Sequence, residues 1–164
     1  MATNILLILK ALEELEAEKA RLYHWFSDVF SNDDRPALFF YKLSTEKAAL
    51  QNVSRFLFRI VQRNLKMFGD LDFDLEQLRT QKERALQIRN NGQPSLALAV
   101  WQCMDLESVV SEGQLIALAE GSEEMKPLLA TMGKGVKRHR EDIQSFASEL
   151  GFLPKASSAI AGLE

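Results

Sequence analysis

The sequence contains few of the residues that cross-link, bend or interrupt a chain. It has one cysteine, four prolines and eight glycines among 164 residues. A single cysteine excludes an internal disulfide and a four-cysteine zinc or iron site. The scarcity of proline and glycine leaves long helices possible over most of the chain. A chain of this length is also long enough to form one domain with its own hydrophobic core.

Long apolar runs and an excess of positive charge are missing as well. No stretch approaches the roughly 20 apolar residues that a membrane span requires. The apolar residues 5–9 have no basic residue before them and are too short for the core of a secretion signal. The net charge is −3, whereas a general nucleic-acid binder needs a basic face. We therefore expect a cytoplasmic protein that binds neither membrane nor nucleic acid.

Apolar residues recur at helical spacing in four long segments, which predicts an all-α protein. The predicted helices A, B, C and D cover about residues 3–30, 36–69, 94–120 and 125–150. A crossover between B and C includes a short charged helix over residues 76–89. Two helical hairpins joined by a long crossover are typical of ferritin-like four-helix bundles. We expect one such bundle over residues 1–154 and a flexible tail over residues 155–164.

One ionisable side chain interrupts the apolar stripe of each predicted helix. These four residues are Glu16, Glu46, Glu107 and His139. In helix B the core is expected to include Leu43, Leu50, Val53, Phe56, Leu57 and Ile60, together with Phe39. Carboxylate and imidazole groups together suit Fe, Mn or Zn. The pattern therefore predicts that the four ionisable side chains converge inside the bundle as a metal site.

Residues 15–23, with the sequence LEAEKARLY, resemble the first-helix motif of the rubrerythrin-like proteins of the ferritin-like superfamily. The resemblance covers about residues 5–150. It implies a di-metal carboxylate site, oxidoreductase-like chemistry linked to iron or peroxide, and a homodimer. This chain departs from the family pattern at Ala49, where a His is expected, and at Val136, where a Glu is expected. It also lacks the cysteines of a rubredoxin-type iron centre, so the implied metal site is incomplete.

Two functions stay open on this basis. In the first, one divalent ion binds through Glu46, Glu107 and His139, with Glu16 as a fourth ligand or an outer acceptor. In the second, the chain is a metal-free scaffold or interaction protein that retains a relict buried network of these residues. Without metal, we expect the buried carboxylates to take up protons through raised pKa values, and His139 to stay protonated. The sequence identifies no substrate or electron donor and leaves open whether the protein is an enzyme.

Three further residues lie near the expected site or attract attention by their type. Cys103, one turn before Glu107, is interpreted as a buried structural thiol. His24 is interpreted as a surface histidine. Tyr23 either donates a hydrogen bond to a carboxylate of the site or is an aromatic core residue.

Overall fold

A computed structural model of the chain describes residues 2–64, 71–108 and 123–152. These ranges contain five helices: α1 Ile5–Val29, α2 Asp34–Arg63, α3 Leu75–Asn90, α4 Leu96–Glu107 and α5 Lys126–Glu149. Two short strands, β1 Ala2–Thr3 and β2 Leu71–Asp72, pair in antiparallel orientation. The prediction of an all-α protein is confirmed for the described residues, since these two short strands are the only regular secondary structure there besides the helices.

The ends of the helices follow from local side-chain chemistry. Four helices begin after a residue whose side chain accepts a hydrogen bond from a backbone N–H of the first turn. The capping residues are Asn4, Asp33, Asp74 and Ser95. After α5, Gly151 adopts a φ of 80°, the left-handed conformation that commonly ends a helix. Polar and glycine residues at the boundaries thus set the lengths of the helices.

Helices α1, α3 and α5 agree with the predicted helices to within two or three residues. Helix α2 ends at Arg63, earlier than the predicted end near residue 69, and the N–H of Asn64 donates to the carbonyl of Val61. The predicted continuation of helix C beyond α4, the turn at residues 121–122 and the tail at 155–164 lie outside the described residues.

The helices pack as two pairs with a fifth helix on the side. Helix α1 packs against α2, α4 packs against α5, and α5 also contacts α2. Helix α3, from the crossover, lies on α1 and buries Leu78, Ala85 and Ile88. None of the described helices is long and apolar enough to cross a membrane.

Two apolar clusters form the core, and polar residues separate them. One cluster includes residues of α1 up to Leu15 and of α5 up to Val136, and the other includes residues of α1 from Leu22 and of α5 from Ile143. Between the clusters lies a buried polar layer, which consists of Glu16, Lys19, Lys47, Glu107 and His139. The interior of the protein is therefore interrupted by ionisable groups at one level along its helices.

The core face of α2 differs from the predicted one. Seven of its buried residues recur at intervals of three and four: Phe40, Leu43, Lys47, Leu50, Ser54, Leu57 and Val61. Phe56, predicted to be in the core, is 52% exposed, so that prediction is wrong. Phe39, Val53 and Ile60 are only partly buried. The sequence of α2 contains two adjacent series of apolar residues at helical spacing. The series that faces the core is interrupted by a lysine and a serine, so apolar spacing alone does not identify it.

Candidate functional site

The structure brings the four predicted site residues to the polar layer, but not equally deeply. Glu16 in α1, Glu107 at the end of α4 and His139 in α5 are buried. Glu46 lies at the edge of the layer with 18% of its side chain exposed, and its Oε2 is 2.6 Å from His139 Nε2. Glu46 is therefore adjacent to the core stripe of α2 and not on it, because Lys47 occupies the stripe.

Two buried lysines, absent from the predicted site, lie among the carboxylates. Lys47 Nζ is 2.6 Å from Glu107 Oε2 and 3.4 Å from Glu16 Oε2. Lys19 Nζ is 3.7 Å from Glu16 Oε1 and 3.7 Å from Glu107 Oε1. Each ammonium group thus faces both carboxylates. We call these four residues the ion-pair quartet, whose charges sum to zero when all four groups are ionised.

Tyr23 and Cys103 complete the surroundings of Glu107. The Tyr23 hydroxyl donates a 2.8 Å hydrogen bond to Glu107 Oε1, so a hydrogen bond to a site carboxylate, one of its two interpretations, is confirmed. Burial, and then the charge of Glu107, raises the pKa of Tyr23 well above its ordinary value. Cys103 is buried, as expected, and burial raises the pKa of its thiol. A protonated thiol is a poor nucleophile, so Cys103 is not a reactive cysteine.

His24 lies away from this site and is exposed, as expected.

The lysines determine the charge state of Glu107. Burial opposes ionisation of this carboxyl, but the positive charges of Lys19 and Lys47 lower its pKa to about 2. Burial also opposes the charge of Lys47, yet Glu107 and Glu16 outweigh it and raise the pKa of Lys47. The expected protonation of the buried carboxylates is therefore wrong for Glu107, because two cations lie within the layer itself.

The same cations help to keep the imidazole of His139 uncharged. Burial, followed by the positive charge of Lys47, lowers the pKa of His139 to about 3, although Glu107 acts to raise it. The imidazole is therefore neutral at pH 7, and the prediction that it stays protonated is wrong.

The contact between His139 and Glu46 is short but poorly aligned. Among the described residues, neither ring nitrogen of His139 nor Glu46 Oε2 has a hydrogen-bond partner. Glu46 is instead near two exposed cations, with Arg138 at 3.5 Å and Lys42 at 4.0 Å. A buried imidazole without a partner is unfavourable, because polar groups lose their hydrogen bonds to water on burial. Among the described residues, this pair thus holds three of the four unpartnered side-chain atoms of the site, and Glu16 Oε2, 3.4 Å from Lys47 Nζ, is the fourth.

The described donors do not fit a divalent ion as they are arranged. No group of three or more His, Cys, Asp or Glu side chains within the described ranges is placed to hold a metal ion. The ammonium groups of Lys19 and Lys47 lie against the carboxylates that would be ligands and would repel a cation there. Ala49, at the position of the family's His, is exposed, so this position faces away from the layer.

The lysines were missed because a lysine in a helix is usually solvent-exposed. The signal that identifies them is their spacing. In α1, buried residues alternate at intervals of three and four through Ile5, Ile8, Leu12, Leu15, Lys19, Leu22 and Phe26. Lys19 occupies a position in this series, as Lys47 does in α2 and His139 does in α5. A position that continues an apolar repeat is buried even when its residue is charged.

No protein-family model, curated protein or solved structure matches this chain. The resemblance to the rubrerythrin-like proteins therefore stays a prediction, which depends on the motif at residues 15–23 and on the joint positions of the four site residues.

Proposed function

We propose that this chain is a metal-free helical interaction protein of ferritin-like design, in which Lys19 and Lys47 take the place of a metal ion. The observation that carries this proposal is the position of Lys47 Nζ, 2.6 Å from Glu107 and 3.4 Å from Glu16. Two ammonium groups supply the same positive charge that one divalent ion would bring to the carboxylates. Buried carboxylates need such compensation, because an unpaired buried charge is costly.

The arrangement of the helices supports the ferritin-like part of the proposal. Helices α1 and α2 form one hairpin, α4 packs against α5, and α3 lies within the crossover that joins the two pairs. In this design the polar layer has a structural role. A slip of α2 along its neighbours would move Lys47 into an apolar cluster and leave Glu107 without its closest cation, so the quartet favours one register. The proposal retains the cytoplasmic location expected from the sequence.

A second candidate function is supported by the pair Glu46 and His139. One divalent ion, Fe, Mn or Zn, would use Glu46, Glu107 and His139, with Glu16 nearby, and would link the protein to iron or peroxide handling. The supporting observation is that both His139 ring nitrogens and Glu46 Oε2 lack hydrogen-bond partners among the described residues. For this site to form, Lys47 must leave Glu107, since its ammonium group now lies where the ion would need the carboxylate.

Metal analysis of protein purified without chelator, combined with lysine variants, separates the two candidates. We expect no stoichiometric Fe, Mn or Zn in the natural chain, and a melting temperature that a chelator does not change. Lys19→Ala with Lys47→Ala leaves the two carboxylates without cations. We expect this double variant to be less stable and to be partly restored by millimolar Mn²⁺ or Zn²⁺. The matched control is Lys42→Ala, whose ammonium group is exposed.

The outcomes distinguish the candidates without ambiguity. Stoichiometric metal in the natural chain that His139→Ala loses would establish the second candidate and overturn the first. If the double variant does not fold, Lys19→Ala alone provides the milder test, because Lys19 lies farther from the carboxylates than Lys47 does. Absence of any rescue by divalent ions in a folded lysine variant would contradict the idea that the lysines replace a cation.

The homodimer implied by the family resemblance also belongs to the proposal. Its contact surface is not part of the polar layer and is argued separately below.

A further inference from the structure

The outward side of α2 carries no charged side chain over about five helical turns. We call it the α2 outer face, and it consists of Leu38, Tyr41, Thr45, Ala48, Ala49, Asn52 and Phe56. Its three large apolar residues are well exposed: Leu38 by 67%, Tyr41 by 52% and Phe56 by 52%. The opposite side of a surface helix is normally polar and charged. An uncharged face with exposed aromatic residues marks an interaction surface.

Charged residues next to this face are already paired within the chain. On one edge, Lys42 lies 3.8 Å from Asp142 of α5. On the other edge, Arg55 donates a 3.0 Å hydrogen bond to Glu13 of α1. These contacts hold both cations at the sides of the face, so the face itself remains uncharged between them.

The two ends of the α2 outer face carry opposite charges. Asp34 continues the face at its beginning, and Arg59 and Arg63 continue it at its end. Neither Asp34 nor Arg63 forms an ion pair within the described part of the chain. A second copy of α2 laid antiparallel on this face would bring Asp34 of each copy to Arg63 of the other. Two-fold symmetry repeats the contact at both ends.

The same antiparallel alignment makes the uncharged positions complementary. When Asp34 faces Arg63, Tyr41 faces Phe56 and Thr45 faces Asn52. Leu38 faces Arg59, whose aliphatic stem can pack on an apolar side chain. At the centre, Ala48 faces Ala49, and these small side chains permit the close approach of two helices, with axes about 8 Å apart. Aromatic residues therefore pair with aromatic residues, amide with hydroxyl, and small with small.

A groove beside the face extends the surface. It lies between α1 and α2, has a volume of about 370 Å³, and is lined by Ala20, Arg21, His24, Tyr41, Ser44, Thr45 and Ala48. In the alignment above, Phe56 of the second copy reaches Tyr41, which lines this groove. The face alone is about 27 Å long between Leu38 and Phe56, and the groove adds area toward the roughly 800 Å² per partner of a stable interface.

We propose that two copies of this chain form a homodimer through antiparallel contact of their α2 outer faces. This gives a defined surface to the homodimer of the proposed function. It depends on the outer side of α2 and not on the ion-pair quartet, so the mass of the particle and its metal content test the two proposals separately.

Sedimentation velocity of the full chain over a range of concentrations measures the association. We expect a species with twice the 18.6 kDa of one chain. Phe56→Glu places a carboxylate against Tyr41 of the second copy, and we expect it to weaken association at least 100-fold. The matched control is Trp101→Glu on α4, because Trp101 is also an exposed aromatic residue, at 51%, but lies away from the face. We expect the control to dimerise as the natural chain does.

A charge exchange tests the antiparallel alignment itself. Asp34→Arg and Arg63→Asp should each weaken the dimer, because each places like charges together, and the double variant should restore it. Circular dichroism of each variant confirms that α2 still forms, since both positions lie in terminal turns of the helix. A natural chain that stays monomeric at 100 μM and above, equal effects of Phe56→Glu and Trp101→Glu, or failure of the double variant to recover would overturn the proposal.

Discussion

Glu107 and His139 are equally buried in the same polar layer, yet at pH 7 Glu107 is charged and His139 is neutral. Each is about 1% exposed. The lysines of the ion-pair quartet keep Glu107 ionised and lower its pKa to about 2, and the same positive charge helps to keep His139 neutral with a pKa of about 3. Burial alone therefore does not determine ionisation in this layer. The positions of the nearest cations determine it, and they divide the described part of the layer into a side with buried cations, around Glu107, and a side without them, around His139.

The largest loss of stability is expected when a buried cation next to Glu107 is removed. Lys47→Met removes the ammonium closest to both carboxylates and leaves Glu107 with Lys19 and Tyr23 only. Removal of one partner from a buried ion pair costs about 3–5 kcal/mol, and we expect a loss of this size in the free energy of unfolding. Urea denaturation at pH 7 measures it.

Lys42→Met is the control for this prediction, because Lys42 is exposed and its ion pairs are 3.8–4.0 Å long. Exposed pairs contribute only about 0–1 kcal/mol. A cost below about 1 kcal/mol for Lys47→Met, equal to that of the control, would mean that Lys47 is not buried between the carboxylates.

The second largest effect is the dependence of stability on pH, to which His139 and Glu107 contribute in different pH ranges. The pKa of His139 is lowered from 6.5 in the unfolded chain to about 3 in the folded protein. In this range the unfolded chain binds the additional proton, so stability is complete above pH 6.5 and declines as the pH falls. Between pH 7 and pH 4.5 we expect the free energy of unfolding to fall by about 2–3 kcal/mol through this group.

The free energy of unfolding, measured at a series of pH values for the natural chain and for histidine variants, shows which group causes this decline. His139→Leu should remove the part between pH 6.5 and 4.5, whereas His24→Gln should leave it in place because His24 is exposed in the folded protein. A further decline below pH 4.5 should remain in His139→Leu, since Glu107 takes up its proton in the unfolded chain near pH 4.5 and in the folded protein only near pH 2. An unchanged slope in His139→Leu would contradict a neutral buried imidazole.

A smaller effect is expected from the hydrogen bond of Tyr23. Tyr23→Phe keeps the buried ring and removes the hydroxyl that donates to Glu107 Oε1 at 2.8 Å. A hydrogen bond to a charged group contributes about 1.5–3 kcal/mol, and Lys19 and Lys47 continue to hold Glu107, so we expect a loss near the lower limit. Thermal unfolding beside Tyr41→Phe, whose ring is exposed, measures the difference. Equal stability of the two variants would show that the hydroxyl contributes nothing to the layer.

The sequence predicted the helices better than it predicted the side of α2 that faces the core. Apolar spacing and capping residues are local signals, and α1, α3 and α5 follow them closely. The burial of Lys19 and Lys47 depends on charges contributed by other helices, above all Glu107 of α4. Because a lysine does not continue an apolar stripe, the apolar spacing of α2 predicts Glu46 on the core stripe and Phe56 in the core. The repeat through Leu43, Lys47 and Leu50 could have corrected both placements.

The smallest effect, none on metal content, is expected from completing a rubrerythrin-like Glu-x-x-His motif on α2. Ala49→His creates the Glu-x-x-His sequence with Glu46, and a site that had lost only this ligand would then gain affinity for metal. Position 49 is exposed, however, and the core side of α2 passes through Lys47 and Leu50. Since residues two apart on a helix do not share a face, a His at 49 cannot reach the layer that Lys47 occupies. We expect the metal content of protein purified without chelator to be unchanged. Because Ala49 also lies at the centre of the α2 outer face, a larger side chain there is expected to weaken the dimer, so metal content and not melting temperature is the measurement. Stoichiometric Fe, Mn or Zn in Ala49→His would require α2 to turn position 49 inward and Lys47 outward, and the quartet would then no longer describe this protein.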